Sequence, residues 1–98
     1  MIKKRYSADR STCVVTFIFS EGTEVRSASV VGDFNSWDKD ANPMTRQEDG
    51  TWVAEVKLKA GREYQYRYFV NGHSWHNDPD ADKYVAHPYG GENSVVIT

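Results

Sequence analysis

The chain has 98 residues, a formal net charge of −2 and an isoelectric point near 5.9. This length suffices for one small domain that buries about 60–65% of the surface of its unfolded chain, which excludes an elaborate internal site. Because there is no basic excess to neutralise phosphates, the charge argues against nucleic acid or an anionic membrane as partner.

The chain begins with a polar segment and then an alternating one. Residues 1–10 are unpatterned, and we expect a partly ordered tail there unless an edge strand captures it. From Thr12 to Ser20 apolar and polar residues alternate, which predicts a strand with one buried face. That face consists of Cys13, Val15, Phe17 and Phe19. Glu21-Gly22 predicts the turn that follows.

A second strand is predicted over 24–31, with Ala28 and Val30 directed inward. It ends at Gly32-Asp33 in a polar loop that continues to Pro43. Glu48-Asp49-Gly50 then predicts a hairpin. These turn residues divide the first half of the chain into short segments, as expected of a β-protein.

Two further alternating runs follow this hairpin. Thr51–Lys59 directs Trp52, Ala54, Val56 and Leu58 to one side and Val53 with three charged residues to the other, which is typical of a half-solvated antiparallel strand. In 63–70 the tyrosines form one face, and Gln65, Arg67 and Phe69 form the other. Asn71-Gly72 favours a tight type I′ hairpin, which would carry Trp75 back alongside this strand. Shorter strands are predicted near 84–85 and over 94–97.

No window shows apolar residues at helical spacing over three turns, whereas short alternating runs recur with turn signals about every ten residues. This pattern predicts an all-β fold, an immunoglobulin-like sandwich of seven to eight antiparallel strands over 11–98. The single cysteine, Cys13, cannot form an internal disulfide, and no apolar run is long enough for a signal peptide or a bilayer span. We therefore expect a cytoplasmic protein.

Catalytic and metal sites find little support. His73, His76 and His87 lie near several aspartates, but their spacing matches no zinc motif, and the segment from Asp78 lacks the glycine and the final glutamate of a calcium loop. The carboxylates lie in polar loops, without the cleft that glycoside hydrolysis requires. We expect no cofactor, no metal and no catalytic residue.

The aromatic residues are more numerous than one small core needs, with three Trp, six Tyr and four Phe. Trp52 and the tyrosines Tyr64, Tyr66 and Tyr68 are predicted core residues, with the hydroxyls reaching the edge of the sandwich. Trp37 and Trp75 instead lie in polar loops. Each either plugs one end of the sandwich or lies exposed on its surface.

An exposed indole beside hydrogen-bonding side chains suits a pyranose sugar, whose faces are apolar and whose edges carry hydroxyl groups. Arg67 can only donate hydrogen bonds, whereas the amide of Asn93 both donates and accepts. Together with Trp37 and Trp75 they form a candidate sugar-binding surface. Such a surface would bind a polymer better than a single sugar.

Several motifs, taken in order, resemble a known family. They are Val30-Val31-Gly32-Asp33-Phe34-Asn35-Ser36-Trp37, Asp49-Gly50-Thr51-Trp52, the run from Gly61 to Gly72, Trp75, Asp78-Pro79 and Glu92-Asn93-Ser94-Val95. Their order and spacing are similar to those of the glycogen-binding domain of AMP-activated protein kinase β-subunits. The same pattern is found in the N-terminal domains of isoamylases and glycogen-branching enzymes, the family 48 carbohydrate-binding modules with an early-set immunoglobulin-like fold.

This resemblance implies binding of α-1,4-linked glucan, such as glycogen or starch. It places Trp37 and Trp75 at the two stacking positions and Asn93 at the asparagine that contacts sugar hydroxyls. Arg67 stands where the kinase subunit has a lysine, and Tyr89 where it has a leucine that inserts into the glucan helix. These five residues are the candidate carbohydrate-binding residues.

The leading hypothesis is a non-catalytic module that binds α-glucan and targets a partner, such as a glycogen-metabolising enzyme, to the polysaccharide. The alternative is an adaptor of the same fold that has lost sugar binding and whose aromatic patch contacts another protein. An enzymatic role is the third hypothesis.

Overall fold

The computed structural model describes residues 1–20 and 24–98, so the predicted turn at Glu21-Gly22 lies outside the described residues. In the described part of the chain, nine strands form two antiparallel sheets. The strands are β1 (Ile2–Tyr6), β2 (Thr12–Phe19), β3 (Ala28–Gly32), β4 (Thr45–Arg46), β5 (Trp52–Lys59), β6 (Glu63–Val70), β7 (Ser74–His76), β8 (Lys83–Ala86) and β9 (Glu92–Ile97). One 3₁₀ turn, Asp33–Asn35, follows β3.

The two sheets pack face to face as a sandwich. One has the strand order β1-β2-β5-β4, and the other has the order β3-β6-β9-β8, with β7 paired to the C-terminal half of β6. This confirms the predicted all-β, immunoglobulin-like sandwich. The predicted number of seven to eight strands was too low, because β1 and the two-residue β4 are defined by their pairing rather than by any sequence pattern. No helix among the described residues has the length and apolarity to cross a bilayer.

The N-terminal residues form an edge strand, which was the alternative to a partly ordered tail. β1 pairs along β2, from Ile2 opposite Phe17 to Tyr6 opposite Cys13. Ile2 packs against the core, while the other residues of β1 remain exposed. The edge of the sheet is therefore covered by a basic strand, a common way to discourage pairing with other chains.

The core lies between the sheets and follows the predicted alternation. The inward faces of β2 and β6 are buried, and those of β5 pack against them. The buried residues of the core are Cys13, Val15, Phe17, Phe19, Ala28, Val30, Met44, Leu58, Tyr66, Tyr68, Val70 and Val96. Trp52 packs against this core, as predicted.

The second strand is shorter than predicted, since β3 begins at Ala28 rather than at 24. The preceding residues bond to Asn71 in the turn after β6. The Asn71 amide oxygen accepts from the backbone N–H groups of Arg26 and Ser27 at 2.6 and 3.2 Å, and its amide nitrogen donates to the Glu24 carbonyl at 3.0 Å. The backbone of residues 24–27 thus forms hydrogen bonds with the Asn71 side chain and does not extend β3.

The predicted reversal after β6 is present. Asn71 and Gly72 both have positive φ values, of 54° and 74°, as a type I′ turn requires. One residue is added, because Val70 pairs with Ser74 and leaves His73 in the loop. The reversal brings Trp75 opposite Phe69.

Candidate functional site: an aromatic pocket on the outer face of one sheet

A pocket of about 260 Å³ lies on the outer face of the five-stranded sheet. It is lined by Trp37, Arg67, Trp75, His87 and Asn93. Four of these are predicted site residues, drawn from the loop after β3 and from β6, β7 and β9. The fifth predicted residue, Tyr89, does not line the pocket. We refer to the site lined by Trp37, Arg67, Trp75, His87 and Asn93 as the aromatic pocket.

Trp37 is positioned by the backbone that leaves β3. Gly32 crosses β6 so closely that a Cβ atom added there would lie 2.3 Å from the Gln65 carbonyl oxygen, a distance that excludes any side chain. Ser36 and Trp37 then adopt left-handed conformations with φ values of 58° and 57°. The Trp37 backbone N–H donates to the Gly32 carbonyl at 2.9 Å, which closes the loop onto the end of β3.

Asp33 fixes the indole of Trp37. One carboxylate oxygen accepts from the Trp37 indole N–H at 3.1 Å, and the other accepts from the Gln65 backbone N–H at 2.8 Å. The side chain of Asn35 closes the same loop by donating to the Val30 carbonyl and to Asn42. The half-buried Trp37 is therefore tied to β6 through a carboxylate rather than left as a mobile surface ring.

Trp75 is held by its neighbours on β6 and in the loop before β4. Its ring lies 4.6 Å from that of Phe69, the residue opposite it in the ladder, at an interplanar angle of 47°. The Lys39 ammonium lies 4.9 Å from the Phe69 ring centre and 5.7 Å from that of Trp75. Such cation–π contacts stabilise exposed rings by about 0.5–1 kcal/mol. Trp75 is still 41% exposed, so it does not act as a plug.

Arg67 and Asn93 contribute the polar atoms of the aromatic pocket. An Arg67 terminal nitrogen donates to the Glu92 carbonyl at 2.6 Å, and the Asn93 amide nitrogen donates to the Gln65 side chain at 2.9 Å. Arg67 Nε and Asn93 Oδ1 are buried, and neither has a hydrogen-bond partner within the described residues. An unpaired buried polar atom costs about 1–3 kcal/mol, and both residues that carry such an atom line the aromatic pocket.

His87 is the pocket residue that the sequence did not predict. It begins the loop between β8 and β9, and its Nδ1 accepts from the Tyr89 backbone N–H at 3.1 Å. The ring of Tyr89 lies 5.6 Å from the His87 ring and is 93% exposed. A lone histidine between Ala86 and Pro88 carries no local signal, and only its position six residues before Asn93 links it to the site.

On the inner face of the same sheet, a closed polar cluster surrounds Asp78. Its carboxylate is fully buried and accepts from the hydroxyls of Tyr66 and Tyr68 at 2.8 and 3.0 Å and from the Met1 ammonium at 2.5 Å. The Asp78 backbone N–H donates to Ser94, and the Tyr84 hydroxyl donates to the Asp78 carbonyl. The hydroxyls of Tyr66 and Tyr68 thus donate to a buried carboxylate rather than to solvent.

The charges of this inner cluster are set by burial and hydrogen bonding. Burial alone would raise the pKa of Asp78, but the bonds from the Met1 ammonium, the Asp80 backbone N–H and the Tyr66 hydroxyl outweigh it and hold that pKa below its ordinary value of 3.8. Burial, together with the Asp78 charge, raises the pKa of both tyrosines, so their hydroxyls stay protonated and donate.

A second pocket, of about 300 Å³, lies beside β1 and β2 and borders Ser20, next to the undescribed residues 21–23. Neither this pocket nor three others of about 290–440 Å³ among the described residues is lined by Arg67 or Asn93. No group of three or more His, Cys, Asp or Glu side chains suited to a metal ion occurs in the ranges 1–20 and 24–98. The aromatic pocket is therefore the stronger candidate for ligand binding.

Comparison with known proteins is consistent with this geometry. Residues 6–90 match the model of the family described as carbohydrate-binding module 48, the isoamylase N-terminal domain. The chain is 37% identical over 70 residues to a 1,4-α-glucan branching enzyme of Aquifex aeolicus, covering 69% of this chain and 11% of that enzyme. It is 36% identical over 73 residues to the branching enzyme of Pseudoalteromonas atlantica, covering 72% and 10%. Over a shorter stretch of 34 residues it is 53% identical to the branching enzyme of Emericella nidulans, covering 35% and 5%. The chain thus spans about a tenth of the length of the first two of these relatives.

Proposed function

The chain belongs to carbohydrate-binding module family 48, and from this premise we propose that it binds α-1,4-linked glucan without catalysis, by stacking sugar rings on Trp37 and Trp75. The family description supports carbohydrate as the ligand. The α-1,4-glucan class is supported by the relatives, which are named for action on 1,4-α-glucan.

The observation that carries the proposal is that two indoles line one pocket together with a guanidinium and a side-chain amide. Hydroxyls of a pyranose can accept from the Arg67 guanidinium and can both donate to and accept from the Asn93 amide. The flat faces of the sugar can cover the indoles. This pairing of apolar surface with a fixed donor and acceptor is the usual composition of a small-molecule site.

The size of the pocket favours weak, repeated binding. At 260 Å³ it lies below the roughly 300–1,000 Å³ of sites for drug-sized ligands, which suits a sugar ring rather than a folded oligosaccharide. If each indole loses about 100 Å² of apolar contact with water, it contributes about 2.5 kcal/mol. After the cost of association, net dissociation constants of about micromolar to millimolar are expected.

Calorimetric titration with maltoheptaose and with β-cyclodextrin tests this proposal. We expect binding by the unmodified protein and at least about tenfold weaker binding by Trp37→Ala and by Trp75→Ala, since each change removes one stacking platform. Trp52→Phe is the matched control, because Trp52 packs against the core on the other sheet and should leave affinity unchanged. Absence of binding at millimolar sugar, or equal affinity in all three variants, would reject the proposal.

We further propose that the module brings a glucan-metabolising enzyme to its polymer. The support is that the relatives are branching enzymes of which this chain matches only about a tenth. Affinity capture of partner proteins before and after digestion of the glucan is the test. A partner retained only through glucan disappears on digestion, whereas a partner that persists would favour the adaptor hypothesis.

A further inference from the structure

The loop that joins β8 to β9 is organised around a single residue, His87. Its backbone N–H donates to the Gly91 carbonyl at 2.9 Å, its carbonyl accepts from the Gly90 N–H at 3.0 Å, and its Nδ1 accepts from the Tyr89 N–H at 3.1 Å. Three hydrogen bonds of this short loop therefore meet at His87. Its ring is also one wall of the aromatic pocket.

The bond to Nδ1 defines the chemical form of the ring. A nitrogen that accepts a backbone N–H carries no proton, so His87 must be neutral with its proton on Nε2. If Nδ1 were protonated, it would meet the Tyr89 N–H as a second donor, and that bond would be lost. The shape of the loop thus depends on the charge of His87.

The charged groups around the aromatic pocket make this dependence matter. Arg67 of β6 lines the pocket, and the Lys39 ammonium lies over Phe69 and Trp75 from the loop before β4. Glu92 of β9 offers its backbone carbonyl to Arg67, and no carboxylate is among the described residues that line the pocket. A positively charged His87 would therefore lie near two other cations, and no carboxylate that lines the pocket would be available to pair with it.

We infer that His87 is a positioning residue of the proposed glucan site: in its neutral form it holds loop 87–91 so that the exposed ring of Tyr89 stands beside the pocket as a contact for a neighbouring sugar. Protonation releases this loop and weakens binding of an oligosaccharide. The inference rests on the proposed glucan function. It adds a pH-dependent element that neither the family match nor the stacking residues supply.

The test is the dissociation constant for maltoheptaose at about pH 8 and about pH 5.5, which span the range in which histidine side chains change charge. For the unmodified protein we expect binding at the higher pH and an approximately fivefold to tenfold weaker affinity at the lower one. His87→Phe keeps a ring but lacks the acceptor, so it should bind weakly at both pH values. His87→Asn restores an acceptor for the N–H two residues on and does not titrate. It should bind more tightly than His87→Phe at both pH values and show no pH dependence.

His73→Gln is the matched control, because His73 is exposed in the turn after β6 and does not line the pocket. This variant should keep the pH dependence of the unmodified protein. Amide hydrogen exchange at Tyr89, measured without sugar at about pH 8, reports on the loop directly and should be at least about fivefold faster in His87→Phe.

The outcomes separate the two proposals. Absence of sugar binding by the unmodified protein at about pH 8 rejects the glucan function, and with it the role of His87 in sugar binding. Sugar binding that is constant with pH, or that is equally tight in His87→Phe, overturns the inference on His87 and leaves the glucan function standing. Unchanged exchange at Tyr89 in His87→Phe would likewise overturn it.

Discussion

The two faces of strand β6 differ in whether their buried polar atoms have hydrogen-bond partners. On its inner face, Tyr66 and Tyr68 donate to a fully buried Asp78 whose carboxylate also receives the Met1 ammonium. On its outer face, Arg67 lies beside Asn93, and each retains a buried polar atom without a partner in the described residues. The polar atoms of the first arrangement are paired within the fold, whereas two of those in the second are not.

The polar residues of this small domain thus differ in role by the face on which they lie rather than by residue type. Satisfied buried networks rigidify a structure, whereas unsatisfied ones cost stability and persist where another molecule can complete them. Substitutions on the inner face should therefore change the free energy of unfolding, and substitutions on the outer face should change affinity.

The largest expected effect is from Asp78→Asn. The amide has nearly the size of the carboxylate but lacks its charge, and it presents a donor where two tyrosine hydroxyls and an ammonium all need an acceptor. We expect a loss of about 3 kcal/mol or more in the free energy of unfolding, measured by urea denaturation. Asp80→Asn, at an exposed position two residues away, is the control and should change stability by less than about 0.5 kcal/mol. Equal stabilities of the two variants would contradict the assigned role of Asp78.

Arg67→Met should give the reverse result. Stability should stay within about 0.5 kcal/mol, because Arg67 already has an unpaired nitrogen and the Glu92 carbonyl retains its bond from the Asn77 amide at 2.7 Å. Affinity for maltoheptaose should fall by about tenfold, or about 1.4 kcal/mol. Arg62→Met, at an exposed residue outside the pocket, is the control for loss of a positive charge. A large loss of stability with unchanged affinity would reverse the distinction between the two faces.

Asp33→Ala should have a smaller effect on binding. It removes the acceptor of the Trp37 indole and of the Gln65 N–H. The indole remains available for stacking, but the hydrogen bond that fixes its orientation is lost. Affinity should weaken by about threefold, and calorimetry of this variant beside Asp40→Ala measures the difference. If Asp33→Ala binds as tightly as the unmodified protein, the loop backbone alone orients Trp37.

Acidification below about pH 4 should give the smallest change in stability among these tests, and Asp78 should account for part of it. Because the pKa of Asp78 is lowered in the folded protein, the unfolded chain binds more protons, and the contribution of Asp78 is complete above about pH 4 and lost as the pH falls through its folded pKa. The free energy of unfolding should therefore decline more steeply in the unmodified protein than in Asp78→Asn below that pH. Urea denaturation at several acidic pH values measures both slopes, and parallel slopes would refute the assignment.

The fold was predictable wherever one face of a strand is apolar. The alternation in Thr12–Phe19 and Trp52–Lys59 predicted both strands and their buried residues. β1 has no such alternation, since it is largely basic, and it becomes a strand by pairing with β2. The late start of β3 depends on bonds to Asn71, which is more than 40 residues away in the chain.

The candidate site was partly predictable for a related reason. Trp37 and Trp75 stand out because large apolar rings in polar loops lack a local explanation. The position of His87 at the pocket and the burial of Asp78 both follow from contacts between distant parts of the chain, which no local pattern shows. One signal for Asp78 was available, since buried tyrosine hydroxyls require a nearby acceptor. Whether Trp37, Arg67, Trp75, Tyr89 and Asn93 bind sugar stays a prediction.

The left-handed backbone at Ser36 has a consequence for protein engineering. A side chain other than glycine in this conformation costs about 1 kcal/mol, and Ser36 is exposed and does not line the aromatic pocket. Ser36→Gly should therefore raise the melting temperature while leaving the binding surface chemically intact. The loop that presents Trp37 thus offers a route to a more heat-resistant module for immobilising polysaccharides.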